Sequence, residues 1–178
     1  ALPGVAAAAP EAPGHSWWPT SFLAPTAEIA PHLAPALAAV AAAVAALERN
    51  GLARNRIWLL GFSQGACLAL EAFARAGEGL AGVMAFSGGL VGTSDGDGGP
   101  DAALYGQAPK RFDYAGRRDG ARVWLSVHER DPHIPLQRVR DSVAVFEAMG
   151  AEVALQVYPG AGHSVMREDM AMLKAWLG

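Results

Sequence analysis

Arg56-Ile57-Trp58-Leu59-Leu60-Gly61-Phe62-Ser63-Gln64-Gly65-Ala66-Cys67-Leu68-Ala69-Leu70 joins an apolar, strand-like run to a helix-like one through a Gly-x-Ser-x-Gly corner. At such a corner the turn is so tight that the serine takes a strained backbone conformation, and its hydroxyl is held up at the end of the strand. On this reading Gly61 and Gly65 both remove side chains that would otherwise clash in the turn. The main-chain N–H of Gln64, in the first turn of the helix, then faces the place where an oxyanion would form. The corner predicts an α/β fold and directs the search to a base and an acid further along the chain.

The flanking segments repeat the strand-then-helix alternation. Residues 11–26 read as a Pro- and aromatic-rich loop, and residues 27–50 as a helix, irregular near Pro31 and Pro35, that stops at Asn50-Gly51. Gly82-Val83-Met84-Ala85-Phe86 and Arg122-Val123-Trp124-Leu125-Ser126-Val127 are apolar strands. Leu136, Val139, Val143 and Phe146 mark one face of a helix, Val153, Leu155 and Val157 alternate as a strand, and residues 165–177 close with a helix. This pattern predicts one α/β domain over residues 1–178, a mostly parallel sheet with helices on both faces. Ala1 to Ala9 lacks the basic start of a signal peptide and reads as a short buried strand. The chain opens on Ala rather than Met, which reads as a trimmed start. Residues 91–120, rich in Gly, Asp, Pro and Arg, are expected to be a lid-like surface excursion. Asp95, Asp97 and Asp101 lie there, but the rest of a calcium loop is missing, so no metal site is expected.

Composition narrows the function classes. A hydrophobic fraction of 52% in 178 residues fits a packed core, and no apolar run is read as long enough to span a bilayer. A formal charge of −3 gives no electrostatic footprint for nucleic acid. The single cysteine, Cys67, excludes an internal disulfide, fits a reducing compartment and reads as a buried small hydrophobe.

In a parallel sheet the functional groups gather at the carboxyl ends of the strands. The last strand leads into Pro159-Gly160-Ala161-Gly162-His163-Ser164, where small neighbours let the His163 ring approach Ser63. The strand before it leads into His128-Glu129-Arg130-Asp131-Pro132-His133-Ile134-Pro135. Asp131 is preferred to Glu129 as the carboxylate for His163 because Asp-Pro starts the turn. A serine hydroxyl becomes a competent nucleophile when an imidazole takes its proton, and the imidazole needs a carboxylate to fix its tautomer. The order Ser63, Asp131, His163 is the order such sheets use. His128 and His133 read as pocket-lining or structural, and His32 as surface. Trp17 and Trp18 read equally as packing or as walls of an acyl or aryl pocket.

Taken together, His15-Ser16-Trp17-Trp18-Pro19, the Gly61–Ala66 corner, Phe86-Ser87-Gly88-Gly89, Asp131-Pro132-His133-Ile134-Pro135 and Tyr158-Pro159-Gly160-Ala161-Gly162-His163 resemble the phospholipase/carboxylesterase family of α/β hydrolases, which includes the acyl-protein thioesterases. The resemblance implies a cytoplasmic serine hydrolase for carboxylic esters or thioesters, with no metal or organic cofactor. It puts nucleophile, acid and base at Ser63, Asp131 and His163. It also implies an N-terminal strand region and a His-Gly-x-Gly loop, supplying a second oxyanion donor, that this sequence does not contain. A trimmed chain, a naturally shortened enzyme and a degenerate relative are the three readings of that difference. Interior strand edges would then be open, and pairing of two copies as a homodimer would cover them. The expected activity is hydrolysis of small or medium acyl esters, since no cap for long chains is visible. A thioesterase or lysophospholipase of the same fold and a non-catalytic binding module are the alternatives.

Overall fold

The computed structural model describes residues 4–178. In chain order it contains α1 (Thr26–Arg49), β1 (Trp58–Phe62), α2 (Gln64–Ala76), β2 (Gly82–Phe86), the two-residue strands β3 (Ser94–Asp95) and β4 (Lys110–Arg111), β5 (Arg122–Arg130), α3 (Leu136–Ala148), β6 (Glu152–Ala161) and α4 (Arg167–Leu177). The main sheet has the order β1-β2-β5-β6, and every pairing in it is parallel. Phe62 pairs with Phe86, and Phe86 with Ser126. The carboxyl ends of the strands are therefore aligned at one edge of the sheet.

Alternation along each strand divides the apolar side chains between two cores. Leu59, Val83, Ala85, Val123, Leu125 and Val127 face the larger one, where Ile29 and Leu33 of α1, Phe73 of α2, and Val139 and Phe146 of α3 cover them. Met84, Phe86 and Trp124 face the other way, with Leu173 of α4 and the half-buried Trp58 and Trp176. Helices thus cover both faces, as a parallel sheet requires. Each fully buried Leu, Val or Phe contributes on the order of 1.5–3 kcal/mol relative to an exposed one.

The structure corrects three sequence expectations. Of the strand expected over residues 1–9, the first three residues lie outside the described ones. Residues 4–9 are exposed and form no strand, because no described strand takes their N–H and C=O groups. Second, α1 runs as one helix through Pro31 and Pro35, both of them on its exposed side. It is long and apolar enough, by length and composition, to cross a membrane, with a mean hydropathy of 1.8, contrary to the reading that no run was. Here it lays Ile29, Leu33, Ala36 and Val44 into the larger core. Third, residues 91–120 lie largely at the surface as expected, but they are pinned at several points rather than lid-like. Val91, Leu104, Lys110 and Arg118 are buried, and Arg118 donates to the Phe73 and Ala74 carbonyls at 2.8 and 2.7 Å. Few apolar residues are needed for this, which is why hydropathy did not reveal it.

Candidate active site

Ser63 stands between β1 and α2 with φ 54° and ψ −123°, a conformation that costs a non-glycine residue on the order of 1–3 kcal/mol. The surroundings over-determine it. Its N–H donates to Phe86 O of β2 at 2.9 Å, and its carbonyl accepts from Ala66 and Cys67 at 2.9 and 3.0 Å. Gly61 is required by space, since an added Cβ would sit inside the Gly65 carbonyl and 2.5 Å from Ala66 N. Gly65 is not: a Cβ there meets nothing within 4 Å. The expectation that both glycines relieve a clash thus holds for Gly61 alone, because Gly65 contributes its backbone, not space for a side chain, to the close approach. The Gln64 N–H lies in the first turn of α2, where amide donors have no intrahelical acceptor and the helix dipole favours negative charge.

The Gln64 side chain reaches back over the loop before α1. Its Oε1 accepts from Trp17 N at 2.7 Å and from Ser16 Oγ at 3.3 Å, and its Nε2 donates to Trp18 O at 2.8 Å. Trp18 is 2% exposed and belongs to the larger core, so its reading as a pocket wall is corrected to packing. Trp17 is half-buried and stays beside the serine corner through Gln64.

The loops after β5 and β6 bring their side chains to the same place. His163 Nε2 is 2.8 Å from Ser63 Oγ, and His163 Nδ1 is 2.8 and 3.0 Å from the two Asp131 oxygens. A carboxylate only accepts, so the proton sits on Nδ1 and Nε2 is left to accept from the serine. Asp131 is 1% exposed, and its Oδ1 also accepts from the main chains of His133 and Ile134 at 2.9 and 3.0 Å. The structure brings Asp131 to the imidazole and sends Glu129 elsewhere, to Gly160 N at 3.0 Å. Phe62 and His133 flank the His163 ring, each with ring centroids 4.9 Å away, and His133 is exposed.

His128 is buried against Tyr158, and an added Cβ at Gly162 would lie 2.6 Å from its Nε2. The small residue before His163 therefore accommodates His128. His32 is exposed on α1. Cys67 is buried in α2, where desolvation pushes its thiol up to about 12. Of the aspartates considered for calcium, Asp95 pairs with Lys110, Asp97 with Arg111, and Asp101 accepts from Ala103 N.

Sequence reasoning missed Asp169. It is fully buried at the start of α4 and accepts from Trp124 Nε1, Tyr158 OH and Met166 N at 3.1, 2.9 and 2.8 Å. Its position three residues into a helix, where acidic side chains return to the cap, was the available signal.

A parallel sheet covered on both faces, with a strained serine, a histidine and an aspartate at its carboxyl edge, defines an α/β-hydrolase fold. Residues 8–99, just over half of the chain, match the phospholipase/carboxylesterase family, and the chain belongs to that family. It is similar to a phospholipase/carboxylesterase from Dyadobacter fermentans at 35% identity and a TM-score of 0.78, covering 92% of this chain and 71% of that one. A carboxylesterase from Mesorhizobium loti shares the fold at 20% identity and a TM-score of 0.63, over 91% of this chain and 68% of the other. Acyl-protein thioesterase 1 of Gibberella zeae is 30% identical over 128 residues, 72% of this chain and 49% of the thioesterase. The chain thus spans about half the length of that relative.

Proposed function

We propose that this protein is a serine carboxylesterase for small to medium acyl esters. The observation that carries the reading is the unbroken hydrogen-bond chain from Ser63 Oγ through His163 to the buried carboxylate of Asp131. Ser63 Oγ attacks the acyl carbon while His163 Nε2 takes its proton. The electron pair of the carbonyl moves onto its oxygen, which the Gln64 N–H stabilises; one such donor is worth about 2.7–4 kcal/mol. The tetrahedral species collapses as His163 returns the proton to the leaving alcohol. His163 then takes a proton from water, the hydroxide displaces Ser63 from the acyl group, and the serine recovers its proton. Asp131 holds the Nδ1 proton and stabilises the imidazolium throughout. Trp17, held by Gln64, and the exposed His133 beside His163 are the residues we assign to substrate contact.

The likeness to an acyl-protein thioesterase favours thioester hydrolysis as a second reading, by the same steps with a thiol as leaving group. Rates on oxyesters and thioesters of equal acyl length separate the two. The primary test is fluorophosphonate labelling together with hydrolysis of p-nitrophenyl acetate and butyrate, by wild type, Ser63→Ala and Asp131→Asn. Labelling and turnover should vanish in Ser63→Ala, and kcat should fall roughly 10³–10⁴-fold in Asp131→Asn with the fold intact. A folded wild type that neither labels nor turns over would refute the enzyme reading and leave a binding module.

A further inference from the structure

Between the short strands β3 and β4 the chain makes a flap whose tip touches the loop of the carboxylate. Its base is pinned: Ser94 and Asp95 pair with Arg111 and Lys110, Lys110 Nζ donates to Ala24 O at 2.6 Å, and Asp95 accepts from Thr26 N at 3.0 Å. Its tip is closed by a bridge between Asp101 and Gln107 and by the carboxylate of Asp101 on Ala103 N. Leu104 plugs the tip into the protein at 3% exposure. The next residue, Tyr105, takes a left-handed conformation, φ 56° and ψ 37°, that side chains other than Gly, Asn and Asp seldom adopt. Its ring is largely exposed, yet its hydroxyl donates to the main-chain carbonyl of Asp131, with Ile134 O 3.5 Å away.

We infer that Tyr105 is a positioning residue for Asp131, clamping from outside the 131–134 turn that the carboxylate clamps from inside. The proposal rests on the hydrolase reading of Ser63, His163 and Asp131 above. Two features carry it. The inner clamp occupies only Oδ1, through the N–H groups of His133 and Ile134, and fixes the turn on one side alone. The phenol donates its single proton to the carbonyl that opens that same turn, and an unusual backbone conformation is maintained to put it there. The tyrosine pKa is raised by burial and by the Asp131 charge, so the hydroxyl stays a donor across the working pH range. Without it the turn gains freedom, and the carboxylate spends less time in line with Nδ1. The imidazolium formed in the transition state is then less well stabilised, and turnover slows.

The experiment follows the His163 Nδ1–H proton signal by NMR in wild type, Tyr105→Phe and Asp131→Asn, with His163→Gln to assign it. Tyr105→Phe removes one oxygen from an exposed ring. The Nδ1–H signal should move upfield and broaden toward its state in Asp131→Asn, since a looser bond to the carboxylate deshields that proton less and opens it to solvent exchange. In parallel, kcat per fluorophosphonate-labelled site should drop about 3- to 10-fold with KM unchanged, as expected for loss of an interaction needed in the transition state. An unchanged Nδ1–H signal overturns the proposal, as does a variant that is only less stable, with fewer labelled sites but wild-type kcat per site. Because the signal is read without substrate, a protein that hydrolyses no ester yet shows the change would locate the failure in the hydrolase reading and not in the tyrosine's hold on Asp131.

Discussion

Replacing Asp169 by Asn changes one atom and should destabilise the fold by about 2–4 kcal/mol. The side chain is fully buried and has three donors aimed at it from three places: Trp124 on β5, Tyr158 on β6, and the main chain of Met166 just before α4. Oδ1 serves Trp124 and Tyr158, and Oδ2 serves Met166. The asparagine carbonyl can replace Oδ1, but its amide then faces the Met166 N–H, donor against donor. That arrangement loses one charge-assisted bond, worth about 1.5–3 kcal/mol, and weakens two others. Relief of the buried charge's desolvation offsets part of this, so the net lies near the lower end of the sum. For a chain of this size each 1 kcal/mol moves Tm by about 2–4 °C. Urea unfolding followed by tryptophan fluorescence gives the free energy, and Tyr158→Phe, which removes a single donor, should cost about 1 kcal/mol. An Asp169→Asn protein within about 0.5 kcal/mol of wild type, the range of an ordinary surface change, would refute the claim that this carboxylate ties α4 to the sheet.

Two further predictions concern the serine corner and the flap. Gly61→Ala should cost more than about 2 kcal/mol and abolish fluorophosphonate labelling, since the new Cβ would meet backbone. Gly65→Ala should be neutral or stabilising by up to about 1 kcal/mol in the same urea assay, because open space surrounds the site and alanine favours helix. Equal losses in both variants would contradict the asymmetry. At the flap, hydrogen bonding to Lys110, then to the Thr26 main chain, lowers the Asp95 pKa from 3.8 to about 2. A depressed folded pKa means that the stabilisation is complete above pH about 4 and is lost as pH falls toward 2. The stability difference between wild type and Asp95→Asn should therefore shrink through that window, and a constant difference would remove Asp95 from the account.

The residues legible in the sequence were those whose chemistry is tied to local order. Ser63 sits in a corner that only a few residue patterns permit, and Asp131 and His163 each follow a strand whose apolar alternation is plain. Such loops must end at the same edge of a parallel sheet, so three distant residues could be placed together without coordinates. What escaped was set by tertiary contact. Trp17 and Trp18 are neighbours in one loop and both are bonded by Gln64, yet Trp18 is fully in the core and Trp17 only half-buried, a difference no periodicity records. Residues 4–9 are an apolar run that reads as a buried strand, but a strand requires a partner. The flap is polar in sequence and held by Lys110, Asp95 and Tyr105, whose partners lie 15 to 86 residues away.

Gln64 performs two tasks with one residue. Its main chain presents an N–H beside Ser63, and its side chain holds three successive residues of the Ser16–Trp18 loop. The loop and the serine corner are joined through this one side chain, so a different loop grafted at 16–18 must bring its own donor and acceptor groups for Gln64 or leave that side chain unpaired beside Ser63.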